Sequence, residues 1–208
     1  RRPRGLPART TLRARRRVET PPGAQAQADW AHFPDVIIGG EARSLVAFKM
    51  VLSHSRKDAI VWSEGKDMLA WLGCHSEAFR RLGGVPATVR IDNEKTAVVR
   101  GAGAWGVINP TYRRYATTLR FHVDACPPRQ PRCKGKVERR VRDQRLALDP
   151  RRQTWSDLED LQRWTDAELS ARAEQLICPA TGLTVAESWA AERVGLTPLP
   201  EILPEPFD

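Results

Sequence analysis

The spacing of apolar and polar positions changes along the chain, and each change predicts a different element. Loose alternation over 26–33, a continuous apolar run over 43–53 and a shorter run over 57–63 are typical of β-strands. Gly39 and Gly40 predict a turn behind the first strand. The first folded part of the chain is therefore expected to be an antiparallel meander of three strands.

The next stretch alternates between helical and strand-like patterns. Apolar residues recur at near-helical spacing over 66–84 and the segment ends on two glycines, which predicts a helix with a C-terminal stop. Branched residues over 85–91 predict a buried strand, and 109–119 and 120–125 predict a short helix followed by a strand. This order predicts an α/β fold with a five-stranded mixed sheet, three antiparallel strands and then two strands parallel to the first, flanked by helices.

Two further helices are expected in the last quarter of the chain. Large apolar residues recur every three positions from Trp155 to Trp164 on an acidic background, which predicts a helix over 155–177 that packs one face. A second, shorter helix is predicted over 184–194.

Composition divides the chain into four parts. We expect a basic linker arm at 1–24, an α/β core at 25–150, a helical extension of that core at 151–195 and a proline-rich linker at 196–208. The chain begins without Met, and we expect it to be a piece of a longer protein.

The net charge of +9 is unevenly distributed along the 208 residues. Residues 1–17 contain eight Arg and no acid, and 129–152 contain ten bases against three acids, whereas 153–208 carry a balance of −8. Two basic stretches predict a polyanion bound at two places, although the arm alone is also explained as a solubilising tail. The acidic segment is expected to pack on the core or meet a protein partner rather than DNA.

The composition argues against a disordered protein and against a protein with membrane-spanning helices. An apolar content of 41% with seven Trp supports a packed core, and no apolar run approaches the roughly 18 residues that a membrane helix needs. The four cysteines form no Cys-x-x-Cys pair, which is typical of reduced thiols in a cytoplasmic protein.

Three carboxylates from distant parts of the chain are candidates for one site. Asp29 lies within the first strand, Asp92 ends the strand after the first helix, and Glu138 opens a later helix. Strand ends and helix N-termini converge at one edge of an open sheet, where such oxygen ligands suit two Mg²⁺ or Mn²⁺ ions. Taken singly, each has an ordinary alternative: an outward strand residue, a helix N-cap, and a surface partner for Arg142.

Basic residues near these carboxylates are candidates for DNA-backbone contact. They are Lys95, Lys134, Lys136, Arg139 and Arg142. Lys134 and Lys136 are favoured because they flank a glycine next to the third carboxylate, and simple surface charge remains the alternative for the others.

Three local strings carry a resemblance to a known family. AQADW at 26–30, IDNEKTAV at 91–98 and PPRQPRCKGKVERR at 127–140 resemble the catalytic core of DDE transposases and retroviral-type integrases, and more narrowly IstA-type insertion-sequence transposases. The resemblance implies an RNase H-like fold in which Asp29 would bridge both metal ions while Asp92 and Glu138 would each hold one. It also implies that water frees a 3′-hydroxyl at the element's end and that this hydroxyl then attacks target DNA.

The resemblance implies partners as well as chemistry. These are transposon-end and target DNA, an AAA+ ATPase helper and further copies of the chain on DNA, at the nucleoid of a bacterial cytoplasm. The family also carries a helix-turn-helix region and a β-rich domain that these 208 residues do not contain. Two alternatives therefore stay open: a catalytically silent module that binds DNA and the helper ATPase, and, less favoured, a stand-alone nuclease.

Overall fold

The structure is a computed structural model that describes residues 19–91, 97–100, 107–126 and 148–203. Its strands are β1 (Gln25–Ile38), β2 (Glu41–Leu52), β3 (Asp58–Ser63), β4 (Thr88–Ile91), β5 (Val98–Arg100), β6 (Val107–Ile108), β7 (His122–Ala125) and β8 (Thr154–Trp155). Its helices are α1 (Met68–Leu82), α2 (Pro110–Thr118), α3 (Leu158–Gln175) and α4 (Val185–Arg193), with a short 3₁₀ helix at Pro150–Arg152. None of the described helices is both long and apolar enough to cross a membrane.

The main sheet has the predicted topology. Its strand order is β3-β2-β1-β4-β7, with β1, β2 and β3 antiparallel and with β4 and β7 parallel to β1. The predicted turn is confirmed: Gly39 and Gly40 have φ angles of 58° and 84°, and join Ile38 to its partner Glu41. Positive φ at both turn residues fits the right-handed twist of a hairpin.

The prediction of a helix from residue 155 was wrong at its start. Trp155 lies in β8, a sixth strand that runs parallel to the end of β1 and pairs with Ile38. Helix α3 begins only at Leu158, because Asp157 caps it by accepting the Asp160 backbone N–H at 2.7 Å. The strands β5 and β6 form a separate antiparallel pair that the sequence pattern did not predict.

Alternate residues of the central strands face two different cores. In β1, Ala26 and Ala28 belong to the first core and Phe33 to the second. In β2, Phe48 belongs to the first core and Ala47 to the second. Helices α1 and α2 contribute to the first core and α3 to the second, so the sheet is covered on both faces.

Helix α3 also covers the edge strand β3. The Gln162 side chain accepts the Trp62 backbone N–H at 3.1 Å and donates to the Ile60 carbonyl at 2.8 Å. The Trp62 indole donates to Thr165 Oγ1 at 2.8 Å. Because an edge strand otherwise offers backbone groups to other chains, α3 completes this side of the sheet. The expectation that the acidic region packs on the core is confirmed.

A buried carboxylate joins the start of the sheet to α4. Glu192 is fully buried, and it accepts the backbone N–H groups of Gly23 at 3.0 Å and Ser55 at 2.8 Å. Gly23 has a φ of 69°, and a Cβ there would lie 2.5 Å from the Gly195 carbonyl oxygen. Three distant segments therefore meet at one side chain.

The inner ends of both expected linkers pack on the fold. Glu19 pairs with Arg56 at 3.1 Å, and Leu196 is buried. Leu199 and Leu203 pack against the first core. The division of the chain into arm, core, extension and linker stays a prediction.

His75 lies at the centre of the first core and is fully buried. Its Nδ1 donates to the Trp71 carbonyl at 2.8 Å, so Nε2 accepts from the Tyr112 hydroxyl at 3.0 Å. The ring of Phe48 lies 4.7 Å from the imidazole. Burial disfavours the imidazolium and lowers the pKa of His75 from 6.5 to about 3.

We expect this histidine to make the free energy of unfolding fall as pH decreases. Between pH 6.5 and 3 the unfolded state binds a proton that the folded state does not, so stability rises with pH through that window. The contribution of His75 to the loss between pH 7 and pH 4 is about 3 kcal/mol. Urea denaturation at a series of pH values measures it.

The control for this prediction is the double variant His75→Phe/Tyr112→Phe. It removes the titrating ring together with the hydroxyl that would otherwise lose its acceptor. Its unfolding free energy should vary less with pH than that of the wild type by about 3 kcal/mol. Equal pH dependence of the two proteins would contradict the prediction.

Candidate functional site

Asp29 lies on β1, the central strand of the five-strand path. Its neighbours Ala28 and Trp30 face the first core, so the Asp29 side chain projects from the opposite face of the sheet. The residue is exposed, and its Oδ1 accepts the Trp30 backbone N–H at 2.9 Å. An exposed carboxylate on a rigid central strand can bind a cation with little rearrangement of the backbone.

The strand beside Asp29 ends at the second predicted carboxylate. Ala28 pairs with Ile91 in the parallel ladder of β1 and β4, and Asp92 follows Ile91 in the sequence. Asp92 and Glu138 themselves lie outside the described residues. The structure therefore describes one of the three predicted carboxylates and the strand end that precedes the second.

The predicted DNA-contacting residues fall in the same undescribed stretches. Lys95, Lys134, Lys136, Arg139 and Arg142 all lie outside the described residues, and their assignment stays a prediction.

A charged pair beside Asp29 was missed by sequence reasoning. Lys49 is the Cα partner of Asp29 on β2, and its Nζ lies 3.8 Å from Asp58 Oδ2 on β3. Lys49 and Asp58 retain only 9% and 8% exposure. The signal was a lysine inside the apolar run 43–53, a position where a charge needs a nearby partner.

A second ion pair lies on the other side of β1. Arg90 on β4 pairs with Gln27 of β1 in register, and its Nη2 lies 2.7 Å from Asp124 Oδ2 on β7. Alternation along β1 places Gln27 on the same face as Asp29. Charged groups from β2, β3, β4 and β7 thus share the face from which Asp29 projects.

Helix α2 and the segment after it carry a basic surface. Arg113, Arg114 and Arg120 are exposed, and no Asp or Glu occurs from 109 to 123. Two exposed threonines on the same helix bond back to its own carbonyl oxygens. The signal in the sequence was this stretch of arginines without acids.

The chemistry of Asp29 fits a hard divalent cation such as Mg²⁺, which binds carboxylate oxygens. Among the described residues, no group of three or more His, Cys, Asp or Glu side chains could hold a metal ion by itself. Asp29 can therefore supply one ligand to such an ion.

Comparison with known proteins finds relatives among the insertion-sequence transposases. The chain is 31% identical over 193 residues to a putative transposase for insertion sequence element IS5376 of Geobacillus stearothermophilus, covering 88% of this chain and 45% of that protein. It is 30% identical over 190 residues to the transposase for insertion sequence element IS232 of Bacillus thuringiensis subsp. berliner, covering 89% and 43%. The chain thus spans less than half of each of these relatives. No protein-family model matches it.

Solved structures with the same fold include retroviral proteins. A chain of the simian T-cell lymphotropic virus intasome in complex with PP2A regulatory subunit B56 gamma superposes with a TM-score of 0.60 at 18% identity, covering 88% of this chain and 59% of that one. The HTLV-2 integrase catalytic core domain in complex with magnesium superposes with a TM-score of 0.52 at 12% identity, covering 81% and 95%. These similarities show the fold.

Proposed function

On the premise that this chain is a homologue of insertion-sequence transposases with the RNase H-like fold of integrase catalytic cores, we propose that it is the catalytic core of a DNA transposase. The reaction is phosphoryl transfer: processing of the 3′ ends of transposon DNA and their joining to target DNA. One observation carries the proposal beyond homology. The pairing of Ala28 with Ile91 aligns the strand that bears Asp29 with the strand end that precedes Asp92.

In this proposal Asp29, Asp92 and Glu138 are the catalytic carboxylates and would hold the metal. The ions would be Mg²⁺ or Mn²⁺, two in the active complex, and when bound they would activate the attacking oxygen and stabilise the leaving one. The structure of the HTLV-2 integrase core contains magnesium, which supports a divalent metal here. The part played by Asp29 is to present a charged oxygen from a strand that packing on both faces keeps rigid.

The experiment that tests the proposal is joining of a pre-cut DNA end by the chain in Mn²⁺, with EDTA as the control. Metal-dependent joining that Asp92→Asn and Glu138→Gln abolish, while DNA binding persists, would support the catalytic role of these residues. Joining that survives either change would exclude that carboxylate. No joining by the wild-type chain would contradict the catalytic proposal and favour a DNA-binding and helper-binding assembly module.

DNA contact is proposed at two places. The first is the predicted set Lys95, Lys134, Lys136, Arg139 and Arg142 near the carboxylates. The second is the exposed surface of α2, where arginines occur without acids and can approach phosphates without repulsion. Helix α3 is excluded from the DNA path, because the segment 153–208 carries a balance of −8.

We expect the double variant Arg113→Gln/Arg114→Gln to bind DNA more weakly than the wild type. Each arginine that contacts a phosphate contributes about one unit to the slope of log K against log salt, so the slope should fall by about 2. Affinity for duplex DNA at several salt concentrations, measured by fluorescence anisotropy, checks this.

The matched control is Arg163→Gln on α3, an exposed arginine that pairs with Glu159 and Asp160. It should leave both the affinity and the salt slope unchanged. A DNA crosslink that maps mainly to 155–177, or an unchanged salt slope in the α2 variant, would contradict this DNA path.

The partners follow from the same proposal. They are transposon-end and target DNA, an AAA+ ATPase helper of the kind used by IstA-type transposases, and further copies of the chain assembled on DNA. The intasome and integrase neighbours share the fold, which supports assembly on DNA. The IstA-type assignment rests on the three sequence strings at 26–30, 91–98 and 127–140.

A further inference from the structure

A nearly buried cation lies directly across the sheet from the proposed metal ligand. Asp29 and Lys49 are Cα partners in the antiparallel ladder of β1 and β2, so their side chains project from the same face with Cβ atoms about 5 Å apart. Lys49 is only 9% exposed, and water can do little to solvate its ammonium group. Its compensating charge includes Asp58, whose Oδ2 lies 3.8 Å from Lys49 Nζ.

The position of Asp58 decides the direction in which this ammonium group is drawn. Asp58 lies on β3, one strand beyond Lys49 and two strands from Asp29. Strands are spaced about 4.8 Å apart, so Asp58 and Asp29 are separated by about 10 Å or more. Asp58 is nearly buried, so salt screens its own field at Asp29 only partly. The effect of that field and the effect of Asp58 on the position of Lys49 are therefore separated by variants in which Lys49 is replaced.

Lys49 thus lies between two carboxylates, one on each neighbouring strand. An ion pair between Lys49 and Asp29 would compete with a divalent cation for the same carboxylate oxygens. With Asp58 in place, the ammonium group is held toward β3. Removal of the Asp58 charge takes away the attraction toward β3 and so favours a turn of the nearly buried ammonium group toward Asp29, the carboxylate directly across the ladder.

We propose that Asp58 is a positioning residue that holds Lys49 away from Asp29 and thereby sets the affinity of Asp29 for a divalent cation. The proposal rests on the proposed function, in which Asp29 is a metal ligand. It assigns a role to a charged pair that the carboxylate motif does not contain. It also gives a reason for a lysine in the middle of an apolar strand.

The test is Mn²⁺ binding by the full chain together with a pre-cut DNA end, measured by electron paramagnetic resonance. Asp58→Asn should weaken Mn²⁺ binding on the order of tenfold, because Lys49 then competes for Asp29. In the Lys49→Met background the competitor is absent. Lys49→Met and Lys49→Met/Asp58→Asn should therefore bind Mn²⁺ equally, within about twofold.

Glu64→Gln is the matched control for breaking an ion pair between these strands. It removes one of the two acidic partners of Arg43, Glu64 at 2.7 Å, and leaves Glu41 at 3.7 Å; Arg43 lies near the far end of β2 from Asp29. Its Mn²⁺ affinity should equal that of the wild type. A loss as large as that of Asp58→Asn would overturn the proposal.

The outcomes separate this inference from the proposed function. Equal weakening by Asp58→Asn in the wild-type and Lys49→Met backgrounds would show a long-range field effect and overturn the positioning role. Saturable Mn²⁺ binding that is lost in Asp29→Asn supports the metal site whatever the pair does, and its absence from the wild type would overturn both. Weaker Mn²⁺ binding by Lys49→Met/Asp58→Asn than by Lys49→Met would overturn the positioning role even if Asp58→Asn alone does not fold.

Discussion

Asp29→Asn is expected to abolish metal-dependent DNA joining while leaving the protein folded. The change keeps the shape of the side chain and removes its charge, and Asn is a weaker ligand for Mg²⁺ than a carboxylate. The rate should fall on the order of 10³-fold or more, because the metal stabilises charge that develops in the transition state. Joining of a pre-cut DNA end, with DNA affinity measured in parallel, separates a chemical defect from a binding defect.

The same strand offers a matched control. Asp35 is also an exposed aspartate of β1, and it lies at the register shift between Phe33 and Val36 with a φ of 60°. Asn tolerates this left-handed conformation, so Asp35→Asn should fold and join DNA at the wild-type rate. An Asp29→Asn variant that keeps its rate would remove Asp29 from the proposed site.

Glu192→Ala is expected to cause a large loss of stability, although the residue lies outside the proposed site. The carboxylate is fully buried and satisfies the N–H groups of Gly23 and Ser55. Its removal leaves both donors without this acceptor and opens a small cavity, at a cost of about 3–5 kcal/mol. Urea denaturation at pH 7 measures this free energy of unfolding.

Two further variants test this prediction: Glu192→Gln should have a smaller effect, and Glu174→Ala is the control. Glu192→Gln keeps one acceptor oxygen and faces an amide NH₂ toward the other donor, so its cost should be about half of that for Ala. Glu174 is exposed on α3, and its change to Ala should have little effect. Hydrogen exchange at Gly23 and Ser55 should accelerate in Glu192→Ala, and unchanged exchange at these amides would contradict the role of Glu192.

The candidate site could be predicted from the sequence only in part. Asp29 could be named as a candidate because the string around it resembles a known motif and because strand alternation is a local property. Lys49 and Asp58 could not, because their relation to Asp29 depends on the register between three strands. A shift of one residue in either ladder would place these charges on the opposite face of the sheet.

The helix boundaries also could be predicted from the sequence only in part. The end of α1 could be predicted from Gly83, whose φ of 80° is a conformation that Gly adopts at little cost. The start of α3 could not be predicted in this way. Trp155 lies in β8 because it pairs with Ile38, more than a hundred residues away in the sequence. Local spacing describes which face of an element is apolar and contains no information about such a partner.

By itself, the sequence determined the order and type of the main elements, the turn at Gly39 and Gly40, and the candidate carboxylates. These depend on alternation, helical spacing and backbone freedom over a few neighbouring residues. The tertiary structure alone decided the pairing of β8 and the partners of Lys49. It also decided the hydrogen bond that the Gly23 amide donates to the Glu192 carboxylate, 169 residues further along the chain. Contacts of that separation depend on the whole sheet and its two cores, since burial and register are properties of the assembled fold.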